Sequence, residues 1–156
     1  MRSQSFRLIG MAQKRIRLEL RKIREKPPID CSVWEIDDFN WTASVLGPAN
    51  SPYEDGVFFL SIHFPPDYPF SPPDFPLLTP IYHPNVSARG GICSCVLKQK
   101  WSPALTVSTV LLTVREVMAA PSGVDHVLRQ DIAEVFKADK PRFEELARKC
   151  TLQYAV

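Results

Sequence analysis

Between Met11 and Glu25 the apolar residues Ile16, Leu20 and Ile23 recur at spacings of four and three among basic positions, which predicts an amphipathic helix. Pro27-Pro28 ends it, because the residue before a proline is pushed out of helical geometry. Three short runs rich in β-branched and aromatic residues follow: Ser32 to Ile36, Asn40 to Leu46, and Gly56 to Phe64. They are separated by Asp37-Asp38 and by the turn-rich Gly47 to Pro52, which predicts an antiparallel meander, with a fourth strand near Phe75 to Leu78. Between Phe64 and Pro84 lie eight of the fifteen prolines. That density excludes helix and central strand, yet Phe64, Tyr68, Phe70, Phe75 and Leu77 make the segment too apolar for a disordered linker. An ordered, extended segment on the sheet edge is expected.

After Trp101-Ser102-Pro103 helical spacing returns in Val107, Val110, Leu111, Val114 and Val117, with Thr106 or Ser108 as possible N-caps. Pro121-Ser122-Gly123 breaks it, and two more helices are predicted, over about Val127 to Lys137 and Pro141 to Tyr154. Helix, strand cluster, irregular centre and three helices make an α+β arrangement. A length of 156 residues suits one domain.

Charge changes the picture in one place. Met1 to Lys26 carries nine basic and two acidic residues, against a net charge of +2 for the whole chain. That overall balance argues against a nucleic-acid-coating polycation. The first ten residues lack the apolar stretch of a secretory signal, and no run is long enough to span a bilayer. A reducing, cytoplasmic or nuclear setting is expected, with no membrane and no nucleic acid as partner. The four cysteines, Cys31, Cys93, Cys95 and Cys150, then read as free thiols and not as a disulfide framework. Cys93 and Cys95 with two distant cysteines lack zinc spacing, so no metal is expected.

Candidate chemistry concentrates in Tyr82 to Pro103, YHPNVSARGGICSCVLKQKWSP. Cysteine is the best acyl-accepting side chain at neutral pH, since part of it is already thiolate and sulfur is strongly nucleophilic. Gly90-Gly91 lets the backbone bend just before Cys93 and leaves room for a bulky partner. Asn85, eight residues upstream, could donate to an oxyanion at a thioester carbonyl. Taken alone, a Gly-Gly-Ile-Cys turn around a buried, inert cysteine accounts for the same residues.

The wider pattern is more specific. Gly47-Pro48, Ser51-Pro52-Tyr53, Gly56-Val57-Phe58-Phe59-Leu60, Phe64-Pro65, Asp67-Tyr68-Pro69-Phe70, Pro72-Pro73, Tyr82-His83-Pro84-Asn85, Gly91-Ile92-Cys93 and Trp101-Ser102-Pro103-Ala104-Leu105 resemble the ubiquitin-conjugating enzyme family, in order and spacing. The resemblance covers about Met11 to Ala155 and is greatest to short, single-domain members that work with many RING-type ligases. It implies an N-terminal helix, a four-stranded antiparallel meander and C-terminal helices. Residues 1–10 become a flexible extension, and 11–156 the catalytic domain.

The resemblance also implies roles. Cys93 would accept ubiquitin from the activating enzyme as a thioester and pass it to a substrate lysine with a ubiquitin ligase. No cofactor is implied, since ATP is used upstream by the activating enzyme. Asn85 matches the family asparagine, either as an oxyanion donor or as the residue that holds the catalytic loop. His83 and Pro84 would be structural, with His83 tying the turn instead of acting as a base. Asp125 would orient the incoming lysine and help it lose its proton. Phe70, Pro103 and Ala104 match the loops that ligases grip, and Lys14 and Arg15 the basic helix face shared by ligases and the activating enzyme.

Three departures temper this. Cys95 stands where close relatives usually carry an aspartate, the loop Ala120 to Gln130 differs in pattern and length, and Leu18 replaces a basic residue on the helix face. They motivate two alternatives: a weak or inactive module that keeps the fold and binding loops, and an enzyme for another ubiquitin-like modifier.

Overall fold

In the computed structural model, which describes residues 2–92 and 95–156, the chain opens with helix α1, Arg2–Glu25. Its inner face is Ala12, Ile16, Glu19, Leu20 and Ile23, the periodicity seen in the sequence with one acidic residue inserted. The helix begins well before the predicted start near Met11, so the segment expected to be a flexible extension is the helix's first part. Arg2 to Leu8 are all exposed. Nothing there is buried to leave an apolar period, and the segment is helical as a continuation of an already nucleated helix.

Strands β1 (Cys31–Asp37), β2 (Asn40–Leu46) and β3 (Val57–His63) form an antiparallel sheet in the order β1-β2-β3. Val33 pairs with Ala43, and Ala43 with Leu60. Alternation is clearest in β3, where Phe58, Leu60 and Ile62 are buried and Phe59 and His63 exposed. The predicted fourth strand is present only as an interrupted edge. Leu60 and Leu77, and His63 and Asp74, form antiparallel bridges, and Ser61 N–H donates to Pro76 O at 3.0 Å. Pro72, Pro73 and Pro76 have no N–H to give, so a continuous ladder cannot form.

The chain then enters helix α2 (Cys95–Lys100), a short helix within the centre that the sequence pattern reads as irregular. Cys95 therefore opens a helix. Helix α3 (Val107–Ala119) has Thr106 as its N-cap, one of the two candidates, with Thr106 N–H donating to Thr109 Oγ1 at 3.5 Å. Helices α4 (Gln130–Ala138) and α5 (Lys140–Tyr154) follow. Helix α4 starts three residues later than predicted because the amides of Leu128 and Arg129 both turn back to the Pro84 carbonyl, at 2.9 and 3.1 Å. Asp139 caps α5, accepting from Arg142 N at 3.1 Å, with Pro141 in the first turn. One apolar core joins the inner sheet face to α1, α3 and α5 through Ile16, Trp41, Phe58, Leu60, Leu111 and Phe143. Cys31 and Cys150 are free thiols.

Candidate active site and docking surface

His83, Pro84 and Asn85 leave the proline-rich segment and are all buried. The His83 ring is enclosed against Tyr53, with Nε2 at 2.8 Å from the Val117 carbonyl of α3 and Nδ1 accepting from Asn85 N–H at 3.0 Å. That pairing requires a neutral ring with its proton on Nε2. Burial pushes its pKa down to about 4, against a smaller upward pull from the backbone of Val117 and Met118. Both ring nitrogens are committed, so His83 ties the turn to α3 and has no nitrogen free to serve as a base.

Asn85 reaches the other way. Its Nδ2 amide faces the carbonyls of Ser122, Asp125 and His126 at 3.0, 3.0 and 3.1 Å, and its Oδ1 accepts from Ser122 N–H at 2.8 Å. Two amide hydrogens are shared among three carbonyls, so in this arrangement neither is left for a further acceptor. Of the two roles the sequence left open, the side chain's contacts are those of a loop clamp. Within the clamped loop Ser122 Oγ accepts from Val124 and Asp125 N–H at 3.2 and 2.9 Å, and His126 adopts a positive φ of 54°. Asp125 is thus held through its own N–H and carbonyl, while its residue surface is exposed. The Pro84 carbonyl holds the far end of the same loop through Leu128 and Arg129.

The chain between Asn85 and Ile92 folds back on itself. Val86 and Ile92 form a bridge, Ser87 N–H donates to Gly91 O at 2.8 Å, and Gly91 N–H donates to Ser87 Oγ at 2.8 Å. Gly90 has φ 85° and lies so close to the Leu77 carbonyl that a Cβ would sit 1.8 Å from its oxygen. Of the two uses expected of Gly90-Gly91, the backbone bend is present in the positive φ of Gly90, whereas the space for a partner is already filled there by the edge segment. Cys93, the candidate acyl carrier, lies outside the described residues. Helix α2 resumes two residues later with Leu97 buried.

The candidate docking residues gather around a second polar cluster. Phe70 is 58% exposed, just after the cis Tyr68-Pro69 peptide, and Pro103 and Ala104 are exposed in the loop before α3. Trp101 Nε1–H donates to Pro69 O at 2.8 Å, which locks the two loops together. Lys14 is exposed on α1, but Arg15 is partly buried, with Nε 2.9 Å from Glu19 Oε2 and an Nη donating to Leu105 O at 2.9 Å. Its guanidinium also lies over the Tyr68 ring at 5.8 Å.

The hub of this cluster is Glu19, which the sequence reading missed. It is buried, accepts from Arg15 and from the Tyr68 hydroxyl, and its Oε1 accepts from Val107 N–H at 2.8 Å, capping α3. Burial, with the Glu19 carboxylate beside it, pushes the Tyr68 phenol pKa upward, so the hydroxyl keeps its proton and donates it. A signal existed: Glu19 falls three residues after Ile16 and one before Leu20, on the apolar side of α1.

Comparison with known proteins bears on the fold and the family. A solved ubiquitin-conjugating enzyme E2 domain from Toxoplasma gondii is similar to this chain at 36% identity and a TM-score of 0.85, over 92% of this chain and 99% of that one. The family model for ubiquitin-conjugating enzymes matches residues 15–151, nearly the whole span from α1 to α5, and the chain belongs to the ubiquitin-conjugating enzyme family.

Proposed function

We propose that the chain is an active transferase of the ubiquitin conjugation pathway, with Cys93 as its acyl carrier. The partners that family membership implies in general are ubiquitin, an activating enzyme and ubiquitin ligases. In the first step the Cys93 thiolate attacks the ubiquitin thioester of the activating enzyme, forming a new thioester and releasing the activating enzyme's thiol. In the second, a lysine amine attacks that thioester, an isopeptide bond forms, the proton leaves the amine and the Cys93 thiol is released.

The observation that carries this reading is the clamp of Asn85 on residues 122–126. A buried side chain adjoining the hairpin that leads to Ile92 spends all its polar atoms on fixing a loop whose exposed member is Asp125. Such an arrangement suits an acceptor site: a carboxylate at a fixed backbone position orients a lysine amine and draws off its proton. Asn85 then acts in catalysis through Asp125. The docking residues Phe70, Pro103 and Ala104 suit a ligase surface because the loops that carry them are braced by Trp101 and Glu19 and need little ordering on binding.

Incubation with activating enzyme, ATP and ubiquitin tests the reading. A thiol-sensitive adduct is expected on the wild type and none on Cys93→Ala. An adduct that persists in the variant would place the carrier elsewhere, and absence of an adduct on the wild type would favour a binding module. Charging with a different ubiquitin-like modifier in place of ubiquitin would change the cargo and keep the chemistry.

A further inference from the structure

Between the edge segment, the hairpin of residues 87–91 and α5 lies a cavity of about 270 Å³, walled by Leu77, Ile81, Tyr82 and Cys150. Two arginines line it, Arg89 from the hairpin and Arg129 from the end of the loop that the Pro84 carbonyl holds, and no carboxylate does. Arg89 is exposed and has no acidic partner among the described residues. Arg129 is partly buried, and Asp131, whose side chain is 72% exposed, meets one of its Nη groups at 3.4 Å. A guanidinium carries five N–H donors in a planar fork, so that single contact leaves donors for a second carboxylate. Burial pushes the pKa of the Tyr82 phenol and of the Cys150 thiol up, and the charge of Arg129 opposes that push at both, so its field reaches into the cavity.

The two arginines belong to the two segments on which the proposed transfer depends, the hairpin that leads to Ile92 and the loop that carries Asp125. Arg129 is four residues from Asp125 and Arg89 three from Ile92, so covalent geometry keeps them within about 14 and 11 Å of those residues. We propose that this cavity selects protein substrates, with Arg89 and Arg129 receiving the carboxylate of an Asp or Glu that lies two to four residues from the target lysine. The inference rests on the acceptor role proposed for the loop of Asp125. An extended substrate advances about 3.3 Å per residue, so that spacing covers roughly 7–13 Å, within the reach that separates Asp125 from Arg129. A second carboxylate beside the exposed Asp125 is repelled by it, and the two guanidiniums offset that repulsion where the cavity opens. A glutamine of the same shape carries no charge and gains nothing from them.

The test uses two acetylated peptides with one lysine each, flanked on both sides at the second to fourth positions by glutamate in one and by glutamine in the other. Added to the uncharged full chain, the glutamate peptide should shift the Nε–H resonances of Arg89 and Arg129, and the glutamine peptide should not. Equal shifts with both peptides, or none with either, would overturn the proposal. Shifts with inorganic phosphate but not with the glutamate peptide would assign the cavity to a free anion and also overturn it. In single-turnover discharge of ubiquitin-charged protein, the glutamate peptide should react faster by on the order of fivefold, between the worth of an exposed ion pair and that of an enclosed charge-assisted bond. Arg89→Ala/Arg129→Ala should abolish that preference while discharging to free lysine at the wild-type rate. A preference that is absent from the wild type, or that survives in the variant, would overturn the proposal. The shifts are read on uncharged protein, so a failure to charge would sink the proposed transferase and not the cavity's choice of a carboxylate.

Discussion

Among the described residues two buried polar clusters hold loops in place, and they differ in charge. Around His83 and Asn85 every group is neutral: an imidazole, an amide and backbone carbonyls tie residues 122–126 to the proline-rich segment. Around Glu19 the hub is a carboxylate beside a guanidinium, tying α1 to α3 and to the loops carrying Phe70, Pro103 and Ala104. A neutral cluster is cheap to bury but fails when a proton is forced on it. A charged one holds more tightly and fails when one partner is removed. The neutral cluster holds the loop of the candidate acceptor site, and the charged one joins α1, α3 and the loops proposed for docking.

The largest effect that would sharpen the contrast is expected at Glu19. Glu19→Ala leaves the Val107 N–H, the Tyr68 hydroxyl and Arg15 without their shared partner, and should cost about 3–5 kcal/mol in urea unfolding. A loss below about 1 kcal/mol would mean that the cluster is solvated like a surface pair.

Next comes the response of His83 to acid. Its folded pKa, about 4, lies below the unfolded value of about 6.5. The stability contributed by the neutral ring is therefore fully present above about pH 6.5 and lost as pH falls toward 4, to a limit of about 3 kcal/mol. Unfolding curves of wild type and His83→Gln, measured across that window, should differ in slope in this sense. Parallel curves would show that the ring is not held neutral.

Asn85→Ala ranks third, at about 1–3 kcal/mol, for the loop groups it strands. Asp125→Ala should change stability by no more than about 0.5 kcal/mol, since its carboxylate is on the surface. A large loss there would break the distinction between a clamp and the exposed group it positions.

Much of the fold was legible because burial writes itself as period. The inner face of α1, the alternation of β3 and the valines of α3 are apolar residues repeating at the spacing of their element. What escaped depends on contacts between distant residues. Helix α2 is only six residues long, too short to show a period, and Arg2 to Leu8 are helical without burying anything. Proline content made the fourth strand read as an edge, but the bridges at Leu77 and Asp74 depend on which amides remain. The residue types of the candidate site stood out in Tyr82 to Pro103, whereas the direction of Asn85 did not, because its three carbonyl partners lie 37 to 41 residues away. Glu19 was visible as a misplaced acid on an apolar face, and Arg15, expected on an open basic face, turns inward to meet it.

In the proposed mechanism Asn85 acts on the second step by holding Asp125, with Cys93 carrying the first. Single-turnover discharge of pre-charged protein to free lysine tests it most directly, with wild type, Asn85→Ala and Asp125→Ala compared after equal charging. All three proteins should charge, and both variants should discharge at least about tenfold more slowly. Discharge at the wild-type rate in Asp125→Ala, with Asn85→Ala still slow, would contradict it and return Asn85 to the role of an oxyanion donor.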